Sequence, residues 1–227
     1  MKKTTLTILS LFIALFALQA QVTGGDTTHH STYLFATFKP GFVKMKSGAV
    51  EKADLNYDGY SQQVAFMKGT EVMQLTGLEE VDTIYFSGRK FIPIKKNVYE
   101  IIETGDPVTL LVIYDAKIKP LTSTVGHDGY SKKSANEVTN TITSGNLNRS
   151  RYQSDYNIEL HRTYFFLRYS DIYKSNTEKQ VVKAFPENVS EKIRTYFDTN
   201  KVDLKDADQL LALMRHANEK KVKERKK

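Results

Sequence analysis

Residues 82–103 read DTIYFSGRKFIPIKKNVYEIIE, in which two apolar runs flank Ser87, Gly88, Arg89 and Lys90 and a third begins at Val98. Whether the centre of this stretch is a turn or a ligand-gripping loop decides the fold. A Gly88-Arg89 connection with glycine first suits a type II′ hairpin, because glycine adopts positive φ without a steric penalty. Arg89 then points outward by geometry alone, and Arg89 and Lys90 stand as candidate interaction residues that need no ligand. Pro93 cannot donate a ladder hydrogen bond, so KFIPI is expected to be an edge strand or to contain a bulge. Glu100 sits between Tyr99 and Ile101 in an otherwise apolar strand. If buried it calls for an ion pair, with Arg89 or Lys90 the nearby partners.

The same grammar extends in both directions. GFVKMK from Gly41 alternates as a strand with one wet face, Ser47-Gly48 supplies a turn, and AVEKADLNY continues to a second turn at Asp58-Gly59. QQVAFMK and EVMQL flank Gly69-Thr70. VYEIIE and VTLLVIYDAKIK flank Gly105-Asp106-Pro107, and HRTYFFLR and DIYKS flank Tyr169-Ser170. The period then becomes helical. Thr177 with Gln180 forms a capping-box pattern ahead of Val181, Val182 and Phe185, Ser190 is placed to cap or stabilise the start of a second helix, and Asp206 with Gln209 opens a third with Leu210, Leu213, Met214 and Ala217 on one stripe. Strands first and helices last predict an α+β fold: an antiparallel meander of about seven to nine strands, open to barrel-like closure, followed by C-terminal helices.

The start of the chain points to export. MKKTTLTILSLFIALFALQAQ has Lys2 and Lys3 ahead of an apolar run from Leu6 to Leu18, too short to span a bilayer, and then Gln19-Ala20-Gln21. Residues 1–20 therefore read as a secretory signal peptide, with an uncleaved N-terminal anchor as the alternative because Leu18 stands three residues before the cut, where a small residue is preferred. The expected organisation continues with a flexible lead over 21–40 and an antiparallel β domain over 41–175 that carries a long loop at 120–155. A helical segment over 176–219 and a basic tail over 220–227 complete it. The expected location is the periplasm, with no integral membrane segment after cleavage.

The chain has no cysteine, which excludes a disulfide framework, a zinc-thiolate site and an iron-sulfur centre. Formal net charge is +7, but Lys2, Lys3 and the KKVKERKK tail account for it: residues 21–219 hold 25 basic and 25 acidic side chains. A neutral body lacks the basic face that phosphate backbones demand, so nucleic acid is not an expected partner.

GFVKMKSGAVEKADLNY, VDTIYFSGRKFIPI, NVYEII, a loop rich in Gly, Ser and Thr, and EKQVVKAFPENVSEKIRTYF together resemble a group of exported bacterial proteins to which no activity is attached. In that group a G-x-V-x-L/M-K-x-G strand leads to L-N-Y, then to R-K-F-I/V-P-V and a Y-E pair. The resemblance covers about Gly41 to Phe197. It implies export and the order of sheet then helices, and it carries over no catalytic residue.

No spacing in the chain marks a cofactor, a metal site or a nucleophile elbow. His29-His30 is an adjacent pair on a polar lead, a weak chelator without further ligands. His127 and Asp128 share the long loop with Ser123, Ser131 and Ser134, a composition that a Ser/His/Asp hydrolase would also show. Asp54, Asp58, Glu100, Glu103, Asp106 and Asp115 could supply paired carboxylates for glycosidase-type chemistry. Whether the protein is an enzyme stays open at this level. The favoured expectation is a non-enzymatic binding or structural module of the envelope whose partner is an envelope protein or a glycan. The alternative is a periplasmic hydrolase of envelope or dietary polymer. Any specific partner is expected at 120–155, where His127, Asp128, Tyr130, Arg149 and Arg151 join Arg89 and Lys90 as interaction candidates.

Overall fold

The structure, a computed structural model, describes residues 27–29, 31–120 and 156–218. Strand β6 (Val81–Phe86) and strand β7 (Arg89–Ile94) are joined by Ser87 and Gly88, whose φ angles are +53° and +72°. Two consecutive positive φ values define a type I′ turn, whose twist matches that of the flanking strands. The expected II′ turn on Gly88-Arg89 is corrected by one residue. Because side chains alternate along a strand, that shift sends Arg89 inward instead of outward. The expectation that Pro93 marks an edge strand or a bulge is corrected as well. β7 is an interior strand between β6 and β8 (Asn97–Glu103), but its pairing with β6 covers only Arg89, Lys90 and Phe91. The imide nitrogen of Pro93 lies past the end of that ladder.

The remaining strands are β1 (Thr27–His29), β2 (Lys39–Met45), β3 (Val50–Asp58), β4 (Gln63–Lys68), β5 (Glu71–Gln74), β9 (Thr109–Pro120), β10 (Tyr156–Arg168) and β11 (Asp171–Lys174). Among the described residues all pair antiparallel in one sheet of eleven strands, ordered β1-β10-β9-β8-β7-β6-β2-β3-β4-β5, with β11 also on β10. The count exceeds the expected seven to nine partly because β1 lies inside the segment read as a loose lead. Its register with β10 runs from Thr27↔Leu160 to His29↔Ile158.

The sheet curls without closing into a barrel. Single backbone bonds, Val98 N to Gln62 O at 3.1 Å and Ala116 N to Gly59 O at 3.0 Å, fasten the β3–β4 turn to β8 and β9. Tyr57 of β3 accordingly stacks on Phe91 of β7 at 5.9 Å and meets Tyr114 of β9 edge-on at 5.5 Å, although two strands separate β3 from β7 in the sheet. The concave face is thus an aromatic core, extended by Phe86 stacked on Phe91 at 4.6 Å.

The lead is pinned to this core by one buried side chain. Asn56 Oδ1 accepts from the amides of Phe35 and Tyr57 at 3.1 and 2.9 Å, and its Nδ2 donates to the carbonyl of Phe35 at 2.8 Å. Tyr33 bridges to Asp58, and Leu34 donates to Tyr57 O at 2.8 Å. Residues 33–35, expected to hang free, form part of the packed structure.

Helices α1 (Glu178–Ala184), α2 (Glu187–Thr199) and α3 (Ala207–Asn218) follow the sheet, as the change of period predicts. Thr177 Oγ1 accepts from Gln180 N at 3.3 Å, the cap the sequence implies, and Asp206 Oδ1 caps α3 through Asp208 N and Gln209 N. Of the two roles expected of Ser190, cap or support of the start of α2, the cap is corrected. Pro186 occupies that N-cap, and Ser190 donates back to Pro186 O at 3.1 Å from the first turn. Val181, Ile193, Leu210 and Leu213 are fully buried, and Phe185 packs on Phe166 of β10 at 5.4 Å. Each such burial is worth about 1.5–3 kcal/mol before conformational entropy is charged against it.

Candidate functional site

The inward turn of Arg89 creates a polar cluster in the concave face. Glu100 lies opposite Phe91 and Val112 in the ladders, and Tyr114 lies opposite Arg162, so Arg89, Glu100, Tyr114 and Arg162 occupy one side of adjacent strands. Arg89 Nη1 is 3.3 Å from Glu100 Oε2 and donates to the Tyr114 hydroxyl at 3.1 Å, while that hydroxyl donates to Glu100 Oε2 at 2.5 Å. The Arg89 guanidinium also sits 5.1 Å from the Phe35 ring centre. Asn56, Phe35, Arg89, Glu100 and Tyr114 therefore form one chain of contacts from the pinned lead to β9.

The electrostatics of the cluster are those of a structural latch. Burial pushes the Glu100 carboxyl above its ordinary range, opposed by the Arg89 charge and the Tyr114 hydrogen bond. Burial and the neighbouring Glu100 charge push the Tyr114 phenol up, so it stays protonated and donates. Desolvation also raises Tyr57 and Tyr164. The other candidate carboxylates have simpler roles. Asp58 accepts from Tyr60 N and Ser61 Oγ, Asp115 accepts from Gln62 and faces Lys117, and Asp54, Glu103 and Asp106 are exposed.

A second arrangement lies on the surface. The β7–β8 turn, β11 and α1 wall an open groove of about 710 Å³. Lys95 and Lys96 come from the turn, Lys174 from β11 and Lys183 from α1, against Asp171 as the acidic side chain of the lining. Ile94, Tyr99, Ile172 and Tyr173 supply apolar surface, and Asn97, Ser170 and Gln180 supply hydroxyl and amide groups. Tyr99 is held by an edge-on contact with Phe165 at 5.3 Å, and Tyr173 by Arg168, which donates to its hydroxyl at 3.1 Å. Lys183 also borders a neighbouring cavity of about 520 Å³ lined by Arg168, Arg194, Glu187 and Glu191. Four ammonium groups around amphipathic side chains can hold an anionic ligand with apolar parts.

No protein-family model, no curated protein and no solved structure matches the chain.

The structure divides the sequence candidates. Arg89 is spent on Glu100 and Tyr114, and Lys90 stands 5.9 Å from the Tyr85 ring centre, so neither reaches the groove lining. His127, Asp128, Tyr130, Arg149 and Arg151 lie outside the described residues, as do the loop at 121–155, the tail and the leader. Lys95, Lys96, Lys174 and Lys183 were not singled out by sequence. The adjacent lysines between KFIPI and NVYEII were the available signal, and their convergence with β11 and α1 is a product of the fold. Among the described residues no helix is long and apolar enough to cross a membrane.

Proposed function

We propose that this chain is an exported protein of the bacterial envelope, periplasmic after removal of residues 1–20, and that it works by binding an anionic partner. The observation that carries the reading is the groove between the β7–β8 turn, β11 and α1, where four lysines from three elements face one aspartate. Four lysines against one aspartate give the groove a positive field that favours a ligand of opposite charge. Export is supported by the Lys2-Lys3 and Leu6–Leu18 pattern and by the resemblance to exported proteins.

A photo-crosslinking amino acid at Lys96, compared with one at Lys68 on β4, tests the binding reading in cells. The expected result is a covalent adduct specific to position 96 in the periplasmic fraction, on a protein whose N-terminus begins near Gln21. Equal labelling at both positions, or none, overturns the groove as the working surface. An intact Met1 in the membrane pellet overturns export.

A further inference from the structure

We propose that the groove takes an acidic polysaccharide, a chain of sugars whose carboxylates lie along a line of lysines. This rests on the reading of the groove as the binding surface and deepens it by naming the ligand class. Strand pairing gives the groove its length. Glu100 of β8, Val112 of β9 and Tyr164 of β10 share one row of the sheet, and β8 and β10, both antiparallel to β9, run the same way. Lys96 precedes Glu100 by four residues, Ser170 follows Tyr164 by six, and both line the groove. They are therefore about ten residues apart along the strands, roughly 30 Å of sheet at about 3.3 Å per residue. The lining is a track and not a point.

The cations are spread along that track. Lys95 and Lys96 stand at one end. Lys174 pairs with Phe165, beside the Tyr164 row, and marks the middle. Lys183 also lines the cavity that Arg168 borders, and Arg168 closes the β10–β11 turn opposite Asp171, so Lys183 belongs to the Ser170 end. All four lysines are exposed, and among the described residues none is in an ion pair. A compact anion satisfies one of these positions, whereas a chain with negative charges at intervals meets all of them.

The rest of the lining says what kind of chain. β8 is paired with β7 and β9, and β10 with β9 and β11, so the sheet between the two walls has no free backbone row for an extended peptide. The open edge of β11 faces away from the β7–β8 turn. The contacts on offer are side chains: the amides of Asn97 and Gln180 and the hydroxyl of Ser170 both donate and accept, as sugar hydroxyls do. Ile172 and Tyr173 supply apolar surface for the C–H faces of sugar rings. Every cation of the lining is a lysine, and the guanidinium fork that suits phosphate is absent from it.

The test uses the chain from Gln21 onward, which holds every described residue, and calorimetry with oligogalacturonate and oligomannuronate. At least one of the two should bind, and its single sugar acid should bind at least about tenfold more weakly than the oligomer. The methyl-esterified oligomer keeps the sugars, loses the charge and should weaken by at least about as much. K95E/K96E and K183E, at opposite ends of the track, should each weaken the oligomer about tenfold. Equal affinity for the single sugar acid or the methyl ester overturns the proposal, as does failure of both oligomers. Tighter binding of polyglutamate makes the ligand an acidic peptide, tighter binding of polyphosphate makes it a phosphate chain, and either overturns it. Affinity unchanged by either variant overturns it too; unchanged by both, it traces the attraction to the KKVKERKK tail. A position-96 adduct in cells together with failure of both oligomers leaves the groove reading standing and removes only this inference.

Discussion

The hydroxyl of Tyr114 donates to Glu100 Oε2 at 2.5 Å, in a face of the sheet where Glu100 is 7% exposed and Tyr114 4%. Arg89 completes the arrangement from the next strand and is the half-exposed member. A carboxylate so placed has exchanged water for one cation and one phenol, and burial alone would drive it to the neutral acid. The pair thus depends on both partners, and removing either leaves a buried group short of a bond.

Tyr114→Phe is expected to cost about 1–2 kcal/mol, since it deletes the donor and leaves Glu100 with Arg89 alone. Glu100→Ala should cost more, about 2–4 kcal/mol, because it leaves an inward-turned guanidinium without its anion and opens a void. Urea denaturation measures both. Equal losses below 0.5 kcal/mol, a size typical of neutral surface sites, would show that the cluster is not a latch.

The hairpin turn gives a cleaner comparison of backbone and packing effects. A Cβ at Gly88 meets nothing within 4 Å, so Gly88→Ala tests only the cost of φ +72° and should lose about 1 kcal/mol. Ser87→Gly relieves the same strain at φ +53° and should be neutral or stabilising. At Gly41 a Cβ would lie 2.4 Å from Tyr85 O and 2.6 Å from Phe86 Cβ, where backbone must move. Gly41→Ala is expected to lose several times as much as Gly88→Ala, and the reverse order in thermal melts would contradict the register of β2 on β6.

Alternation located the strands from Gly41 onward and the helical stripe Leu210, Leu213, Met214 and Ala217, all buried, because period and burial are local properties. The Glu100 ion pair was legible because an acid in an apolar strand needs a cation and two lay within one hairpin. The phase of that hairpin was not, since Ser-Gly-Arg satisfies both a I′ and a II′ turn, and a single residue of slip separates Arg89 inward from Arg89 outward. The lead looked featureless because what orders it is Asn56, a side chain 21 residues further on. The groove was invisible for the same reason at larger scale: Lys96 and Lys174, 78 residues apart, line one groove only through the fold.

Asn56 offers a test of how the lead is held. Asn56→Ala removes the one acceptor that Phe35 N and Tyr57 N share and a donor to Phe35 O, and should cost about 2–3 kcal/mol. Since Phe35 lies against the Arg89 guanidinium, the loss should be coupled to the latch. A double variant with Glu100→Ala is expected to depart from additivity by at least about 0.5 kcal/mol. Strict additivity would mean that the lead and the latch are independent.

The pH dependence of stability follows from Glu100, and its sign is opposite to that of most paired carboxylates. Burial raises the folded pKa above its ordinary value of 4.5, with Arg89 and Tyr114 offsetting only part of that cost. Between the unfolded and the folded pKa the native state therefore holds a proton that the unfolded state has released. Stability must fall as pH rises through that window. It is fully present below the unfolded value and the contribution is lost once the folded group ionises. Glu100→Gln keeps the shape and an acceptor for Tyr114 but cannot titrate. The difference in unfolding free energy between the parent and Glu100→Gln, measured from about pH 4 to pH 8 at constant salt, should shift against the parent as pH rises. Glu159 acts in the other direction, because hydrogen bonding to Lys119 lowers its pKa, but it is present in both proteins and cancels from the comparison. A difference that stays flat, or that moves in favour of the parent with rising pH, would mean that Arg89 and Tyr114 outweigh the desolvation of the carboxylate.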